Sequence, residues 1–251
     1  MRALIFSDIH ANLDALEAVL AAAPQHDATW NLGDVVGYGG SPNEVIERVR
    51  SLPEITHVRG NHDKVCCGES SALSFNPIAR EAAMWTQTIL TEENNQWLHD
   101  LPHGPVDVEG RDATISHGSP LDEDLYILNI REAWPALQQM KTQITFFGHT
   151  HVQGGFGWNE GQWFEMKPQY QVSSGIASWV LPLVEGTHYL INPGSIGQPR
   201  DGDWRAAFCI LDKAAQEITF YRVPYDLARA QGRILMAGLP ERLAQRLRDG
   251  R

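Results

Sequence analysis

The sequence predicts an α/β fold in which two mixed β-sheets pack face to face between helices, a four-layer α/β/β/α sandwich. The first third of the chain alternates strand patterns with helix patterns, and such alternation implies parallel strands joined by helical crossovers. From about Val106 onward, short strand patterns dominate. No linker rich in Pro, Gly or Ser interrupts the sequence, so we expect a single domain over residues 1–251.

The first third contains three expected strands and two expected helices. The apolar run that begins at Arg2 is typical of a buried strand, and Asn12 is expected to cap the helix that follows it. Pro42 stands where the second helix begins its first turn. In chain order the elements are strand Arg2–Ser7, helix Leu13–Ala23, strand Ala28–Leu32, helix Asn43–Leu52 and strand Ile55–Arg59.

The middle of the chain is predicted to be helical and the second half to be rich in strands. Apolar residues at helical spacing predict helices at Pro77–Leu90 and Glu92–His99. Further helical segments are expected at Asp122–Leu128, Arg131–Met140, Asp226–Met236 and Pro240–Arg248. The expected strands are Ala113–Ser116, Ile144–Phe147, Gln153–Trp158, Gln162–Met166, His188–Ile191, Ala206–Leu211 and Glu217–Val223.

The composition limits the classes of partner. A net charge of −11 argues against binding a nucleic-acid duplex, because such binding depends on Lys and Arg at the phosphates. An acidic protein can still bind small phosphates where bound cations supply positive charge. No apolar stretch approaches the roughly 18 residues of a membrane span, and the first residues lack a signal-peptide pattern. Three cysteines are too few for a disulfide framework, which favours a reducing cytoplasm.

Five short motifs rich in metal-ligand side chains follow or end predicted strands. Asp8, Asp34 and Asn61 are 26 and 27 residues apart, about one strand–helix–strand unit each. Successive units place the carboxyl ends of parallel strands along one edge of a sheet, so these three oxygen donors are expected to converge. The motifs occupy residues 7–10, 31–34, 59–63, 116–118 and 148–151.

Two pairs of donors are spaced two residues apart. Asp8 with His10, and His149 with His151, would each project to the same side if the backbone were extended. Each short segment is therefore expected to offer two ligands to one cluster. Glycines in four of the motifs allow sharp turns and close approach to a ligand.

The candidate ligand set has three oxygen donors, four imidazoles and no thiolate. This set suits Mn²⁺, Fe, Zn²⁺, Co²⁺ or Ni²⁺, with Mn²⁺ favoured, and is too rich in nitrogen for Ca²⁺ or Mg²⁺ alone. Seven donors exceed what one ion with an open position takes, so the sequence predicts two divalent transition-metal ions sharing a carboxylate. The seven are Asp8, His10, Asp34, Asn61, His117, His149 and His151.

The ordered series D-x-H, G-D, G-N-H-D, H and G-H-T-H resembles the calcineurin-like metallophosphoesterase superfamily. Residues 192–195 and 197–203 are similar to a downstream signature of its small bacterial and archaeal members. The resemblance implies a first metal on Asp8, His10 and His151, a second on Asn61, His117 and His149, and Asp34 as the bridge. It also implies attack on phosphorus by a metal-bridging hydroxide, without a covalent intermediate.

The resemblance further implies a catalytic role for two residues beside the ligands. His62 would contact phosphate and protonate the leaving group, and Asp63 would orient His62. The alternative for His62 is that it only orients a ligand.

The motif around Asp34 departs from that of protein phosphatases in the family. Their phosphate-gripping arginine is missing, and Tyr38 stands in its place. Arg200 is a candidate phosphate contact, with a surface ion pair to nearby acidic residues as the alternative. Tyr38, Asn76 and Arg80 are candidates for the substrate mouth, with capping and helix-face roles as alternatives.

The sequence therefore predicts a cytoplasmic hydrolase of phosphodiester or phosphoanhydride bonds in small or nucleotide substrates. A dinucleoside-polyphosphate hydrolase is the close alternative, because the context of residues 37–39 also resembles proteins of that group. Phosphomonoester or phosphoprotein hydrolysis comes third. The non-enzyme alternative is a metal-binding scaffold, whose members would be expected to have lost ligands or the motif histidine. The sequence leaves the oligomeric state open.

Overall fold

The computed structural model describes residues 1–251 and contains two mixed six-stranded β-sheets with helices on both outer faces. This architecture confirms the predicted α/β fold. The strands are β1 Arg2–Phe6, β2 Ala28–Asn31, β3 Ile55–His57, β4 Val106–Val108, β5 Ala113–Ile115, β6 Ile144–Phe146, β7 Gly154–Asn159, β8 Gln162–Met166, β9 Ala177–Pro182, β10 His188–Asn192, β11 Ala206–Asp212 and β12 Glu217–Val223. The helices are α1 Leu13–Ala22, α2 Pro42–Arg50, α3 Asn61–Cys66, α4 Pro77–Ile89, α5 Glu92–His99, α6 Ile130–Gln139, α7 Leu227–Met236 and α8 Glu241–Asp249, and a 3₁₀ helix spans Ala72–Ser74. None of the helices is long and apolar enough to cross a membrane.

The first sheet has the order β3-β2-β1-β11-β12-β9, and the second has β4-β5-β6-β10-β7-β8. The neighbours β3, β2 and β1 are parallel, as the alternation of strands and helices predicts. The neighbours β5, β6 and β10 are parallel in the second sheet. All five loops that carry the candidate ligands leave the carboxyl ends of parallel strands, at β1, β2, β3, β5 and β6.

The main cores lie between the sheets and between the first sheet and its helices. Along β1, Ala3 and Ile5 pack toward the second sheet, whereas Leu4 and Phe6 pack toward the helices. Because both faces are covered, β1 is an almost continuous apolar run. On the far side, α6 packs on the second sheet through a smaller core that includes Leu190.

The first two helices begin at residues whose side chains favour a helix start. The side chain of Asn12 accepts a hydrogen bond from the Ala15 N–H and caps α1, as predicted. Pro42 is the first residue of α2. These ends fix the crossovers that return the chain to the first sheet.

Three local features differ from the sequence-based predictions. The expected helical segment at Asp122–Leu128 is wrong: this stretch is a loop, because the Glu123 and Leu125 carbonyls accept hydrogen bonds from the residues that follow β5. Strands β4 and β9 were not predicted, since each lies at a sheet edge and alternates partly buried with exposed residues. Helix α3 was not predicted either, because its six residues are too few to show a helical period.

Candidate metal centre

The loops after β1, β2, β3, β5 and β6 bring the predicted donors together in two buried groups. Asp8, His10, Asp34 and His151 form the first donor group, and Asp34, His117 and His149 form the second. Within each group one ligand atom from every residue lies within 4.8 Å of the others. Asp34 belongs to both groups.

The backbone at the paired donors is left-handed, not extended as the sequence-based reasoning assumed. The φ angles are 54° at Asp8, 47° at His10, 65° at His149 and 59° at His151. Such φ values are uncommon for residues other than glycine, and clusters of them occur where surrounding structure holds the chain for function. Hydrogen bonds from the Asp8 and His10 N–H groups to the Gly33 and Asp34 carbonyls hold the first of these turns, with lengths of 3.0 Å. The chain turns tightly just after each strand, and this turn directs the donor side chains toward one another.

In the first donor group, unprotonated ligand atoms face one another. His10 Nδ1 donates to the Val36 carbonyl (3.0 Å) and His151 Nδ1 to the Gln198 carbonyl (2.6 Å). A neutral imidazole carries only one proton, so both Nε2 atoms present lone pairs. These Nε2 atoms are 3.1 Å apart, and Asp8 Oδ1 lies 3.1 Å from that of His151. Such a gathering of lone pairs is stabilised by a cation.

The second donor group has the same character. His117 Nδ1 donates to the Leu32 carbonyl (2.8 Å), so a neutral His117 presents its Nε2 lone pair. That Nε2 lies 3.2 Å from Asn61 Oδ1, 3.1 Å from His149 Nδ1 and 3.4 Å from Asp34 Oδ2. Asn61, the seventh predicted donor, therefore adjoins this group. The nitrogen and oxygen donors fit divalent transition-metal ions.

The Asp34 carboxylate faces both groups with one oxygen. Its Oδ1 accepts the His62 N–H (2.8 Å), whereas Oδ2 lies 3.6 Å from His10 Nε2 and 3.4 Å from His117 Nε2. Although burial alone would raise the pKa of Asp34, the charge on His117 lowers it well below its usual range. Burial alone would lower the pKa of His117, but Asp34 raises it to about 10. The shared carboxylate of Asp34 thus stays ionised and stabilises positive charge next to it.

Close packing of the loops requires glycine at two of the predicted positions. A methyl group at Gly60 would overlap the Asp34 carboxylate. At Gly148 it would overlap the Ser7 hydroxyl and crowd Asp8. The absence of a side chain at these two positions lets the ligand loops approach one another.

The downstream motif at residues 192–195 supports the same loops. The Asn192 amide donates to the Gly148 carbonyl (2.8 Å), and the Ser195 hydroxyl donates to the Asp8 carbonyl (2.8 Å). These contacts join the loop after β1 to the loop after β6. The motif therefore positions ligands without contributing a donor.

His62 lies beside the donors and belongs to neither group. Its buried ring is 4.9 Å from the His10 ring, 4.4 Å from the Tyr38 ring and 4.5 Å from the Phe75 ring, measured between centroids. Burial lowers the pKa of His62 to about 4. Its Nδ1 has no hydrogen-bond partner and packs against Gly37, where an added methyl carbon would lie 2.5 Å away.

Asp63 does not orient His62, which corrects the role that the resemblance implied. Its Oδ1 accepts the Val35 and Val36 N–H groups at 2.9 and 3.2 Å, and its Oδ2 accepts the Gly60 N–H at 2.9 Å. Both oxygens are thus engaged by backbone. Asp63 holds the loop that carries Asp34 against the start of α3.

Arg200 lies over the site without an acidic partner. The nearby carboxylates are paired elsewhere, Asp201 with Arg222 and Asp203 with Arg205. This excludes the surface ion pair as the role of Arg200. Its Nη2 lies 3.5 Å from the hydroxyl of Tyr38, whose ring contacts the His10 ring at a centroid distance of 4.7 Å.

Asn76 and Arg80, the two other candidates for the substrate mouth, have structural roles. The Asn76 side chain accepts the Ile78 and Ala79 N–H groups and caps α4. Arg80 donates to backbone carbonyls of the preceding loop, including that of Ala72 at 3.1 Å. Neither contacts a donor group.

Tyr126 is a site residue that sequence reasoning missed. Its ring stacks on the His149 ring with centroids 3.9 Å apart and planes at 23°. It belongs to the loop between β5 and α6, which Lys64 anchors through Asp124 (2.6 Å) and Glu123 (3.0 Å). No sequence motif marks this position, because the contact depends on the path of the loop.

Comparison with known proteins agrees with the geometry. Residues 1–216 match the model of the calcineurin-like phosphoesterase superfamily domain. The crystal structure of a metallophosphoesterase from Sphaerobacter thermophilus is 44% identical, with a TM-score of 0.83 over 100% of this chain and 99% of that one. Phosphodiesterase YfcE of Escherichia coli is 27% identical over 84% of this chain and 88% of its own length.

A third similar protein aligns over less of the chain. The symmetrical bis(5′-nucleosyl)-tetraphosphatase of Yersinia enterocolitica is 34% identical over 43% of this chain and 39% of its own length. The family match, by contrast, covers most of the chain, including every predicted donor. The chain therefore belongs to the calcineurin-like phosphoesterase superfamily.

Proposed function

We propose that this protein is a metal-dependent hydrolase of phosphodiester or phosphoanhydride bonds in small or nucleotide substrates. The observation that carries the proposal is the convergence of carboxylate and imidazole ligand atoms in two buried groups that share Asp34. Two divalent ions, with Mn²⁺ favoured, would be held by Asp8, His10, Asp34 and His151 and by Asp34, Asn61, His117 and His149. When bound, such a pair stabilises charge on a phosphoryl group and makes a nucleophile from water available near neutral pH.

His62 is the residue proposed to act on the leaving group. Its ring is fixed between Tyr38 and Phe75, with Nδ1 turned to Gly37. Nε2 is therefore the nitrogen left to meet the substrate. Burial lowers the pKa of His62 to about 4, so its protonation depends on the negative charge of a bound phosphoryl group, and the proton then passes from Nε2 to the leaving oxygen. Asp63 contributes indirectly, since it holds the loop on which Asp34 lies.

Arg200 is proposed to bind the substrate phosphoryl group. It is positively charged at neutral pH, has no carboxylate partner and adjoins Tyr38 beside the first donor group. A guanidinium presents paired N–H donors that match phosphate oxygens. Tyr38 supports this side chain at the mouth of the site.

The names of two relatives support different substrates within this class. Similarity to phosphodiesterase YfcE favours a phosphodiester, and similarity to the tetraphosphatase favours a dinucleoside polyphosphate as the alternative. Phosphomonoester or phosphoprotein hydrolysis ranks below both, because the arginine of the protein-phosphatase motif is replaced by Tyr38. The complete donor set and the presence of His62 argue against a purely structural scaffold.

The proposal is tested by reconstituting the purified protein with Mn²⁺ and measuring its metal content and hydrolysis. The substrates are 4-nitrophenyl phosphate, bis(4-nitrophenyl) phosphate, cyclic nucleotides and diadenosine tetraphosphate. We expect two ions per chain and hydrolysis of a diester or anhydride. Absence of bound metal after reconstitution, or of hydrolysis of all four, would overturn the proposal.

A variant separates the role of His62 from metal binding. His62→Gln is expected to keep both ions while lowering kcat by about 10²–10⁴-fold, the range typical of a general acid. His99→Gln, at an exposed histidine on α5, is the matched control and should leave kcat unchanged. Loss of metal together with activity in His62→Gln would contradict the proposed role.

A further inference from the structure

Two arginines, Arg200 and Arg246, flank the ring of Tyr38 at the edge of the first donor group. Their guanidinium carbons lie 5.8 and 5.9 Å from the centroid of that ring. Arg200 lies two residues after Gln198, whose carbonyl accepts the hydrogen bond from His151 Nδ1. Arg246 belongs to α8, at the far end of the sequence. The fold therefore places two positive charges from distant segments on one aromatic side chain.

Neither guanidinium forms an ion pair with an Asp or Glu side chain. The acidic residues nearest to Arg200 in sequence are paired with Arg205 and Arg222. The chain has 31 acidic and 20 basic residues, so carboxylates for pairing are abundant. Burial lowers the pKa of Arg246, and the nearby charge of Arg200 lowers it further. A bound anion would relieve the repulsion between these two charges.

Both side chains retain unused hydrogen-bond donors. The Arg200 Nε is buried without a partner. Arg246 Nε already donates to an oxygen of the last residue, Arg251 (2.7 Å), whereas its two terminal nitrogens contact no acceptor in the protein. Paired N–H donors on a guanidinium match the oxygens of a phosphoryl group.

We infer that Arg200 and Arg246 form a second anion site, which binds a phosphoryl group next to the one held at the metal donors. In this arrangement Arg200, which adjoins the first donor group through Tyr38, would contact both phosphoryl groups, and Arg246 would contact only the outer one. The inference rests on the proposed function and narrows its substrate to molecules with two or more linked phosphoryl groups. Phosphoanhydrides are thus preferred over simple diesters.

The test compares two substrates in the Mn²⁺-loaded protein. The measured quantity is the ratio of kcat/KM for diadenosine tetraphosphate to kcat/KM for bis(4-nitrophenyl) phosphate. Arg246→Gln should lower this ratio about tenfold or more, since a charged hydrogen bond contributes enough to account for such a factor. Arg248→Gln, an exposed arginine on the same helix, should leave the ratio within about twofold of the wild type. An unchanged ratio in Arg246→Gln would overturn the inference.

A binding measurement separates this inference from the proposed function. Calorimetry with inorganic tripolyphosphate and with orthophosphate requires no turnover. Arg246→Gln should weaken tripolyphosphate binding about tenfold and orthophosphate binding much less. If the wild type hydrolyses no ester or anhydride but the variant shows this loss, the proposed function fails and the anion site stands. If the wild type is active and the variant binds tripolyphosphate normally, the anion site is wrong.

Discussion

The two donor groups differ in how firmly the protein holds their histidines. In the first group, His10 and His151 each donate from Nδ1 to a backbone carbonyl. In the second group only His117 has such an anchor, to the Leu32 carbonyl. His149 has no hydrogen-bond partner at Nε2, and its ring rests against Tyr126.

The first group is therefore anchored throughout by the fold, whereas His149 of the second group depends on contact with Tyr126 in a surface loop. A hydrogen bond to the second ring nitrogen fixes the tautomer and orientation of a ligand histidine and raises its basicity. We therefore expect the first donor group to hold its ion more tightly than the second.

The largest expected effect comes from removing the carboxylate that both groups share. Asp34→Ala should lose both ions and all measurable hydrolysis, because Oδ2 faces the histidines of either group. Metal analysis after reconstitution with Mn²⁺ measures the loss. Asp27→Ala, at a carboxylate immediately before β2 that accepts the Arg2 N–H, is the control and should keep two ions per chain. Retention of one tightly bound ion by Asp34→Ala would show that the groups are independent.

A smaller effect should distinguish the groups from each other. His149→Ala is expected to retain one ion per chain, since it leaves every donor of the first group in place. His151→Ala removes a firmly anchored donor from that group and should lower the affinity of the tighter ion. Titration of each variant with Co²⁺, followed by its absorption spectrum, measures both affinities. Equal loss of the same ion in both variants would contradict the comparison.

The donors of both groups and the fold were the parts most accessible from sequence. Asp8, Asp34 and Asn61 recur once per strand–helix–strand unit, and parallel pairing brings the carboxyl ends of such strands together. The alternation of helices and strands likewise predicts the layered sheets. These features repeat along the chain, so a local pattern was enough to predict them.

The contacts that surround the donors were not accessible in this way. Tyr126 reaches His149 only because its loop folds back on the segment after β5, and the sequence pattern there suggested a helix. The role of Asp63 was misjudged because its partners, the Val35 and Gly60 N–H groups, are defined by loop geometry. The left-handed backbone at Asp8 and His10 has no side-chain signature either. Contacts that depend on the path of a loop are specified by the whole fold.

Tyr126, whose ring stacks on His149, provides a third test of the difference between the two donor groups. Tyr126→Ala should weaken the ion of the second group by about 3–10-fold, because an aromatic pair contributes roughly 0.5–1.5 kcal/mol. Tyr126→Phe keeps the ring and should behave as the wild type. Co²⁺ titration measures both variants, and the affinity of the first ion is the internal reference. An equal weakening of both ions by Tyr126→Ala would mean that the loop supports the whole centre.

The smallest expected effect concerns the charged residues that anchor this loop. Glu123 contacts Lys64 at 3.0 Å and Arg59 at 3.1 Å. Burial alone would raise the pKa of Glu123, but these two cations lower it below its ordinary value of 4.5. The ionised carboxylate therefore stabilises the folded chain fully above that value, and its contribution falls as the pH drops through the lowered folded-state pKa.

Glu123→Gln should lower the free energy of unfolding at pH 7 by about 1 kcal/mol or less, as expected for a partly exposed ion pair. The difference from the wild type should shrink as the pH falls below 4.5 and through the lowered pKa, because protonation then removes the same charge from Glu123 itself. Urea unfolding at several pH values measures this, with the exposed Glu185→Gln as control. A difference that grows on acidification would show that Glu123 does not stabilise the loop through its charge. The loop that supports the second group would then depend on its backbone hydrogen bonds alone, such as that from the Gly118 N–H to the Glu123 carbonyl (3.0 Å).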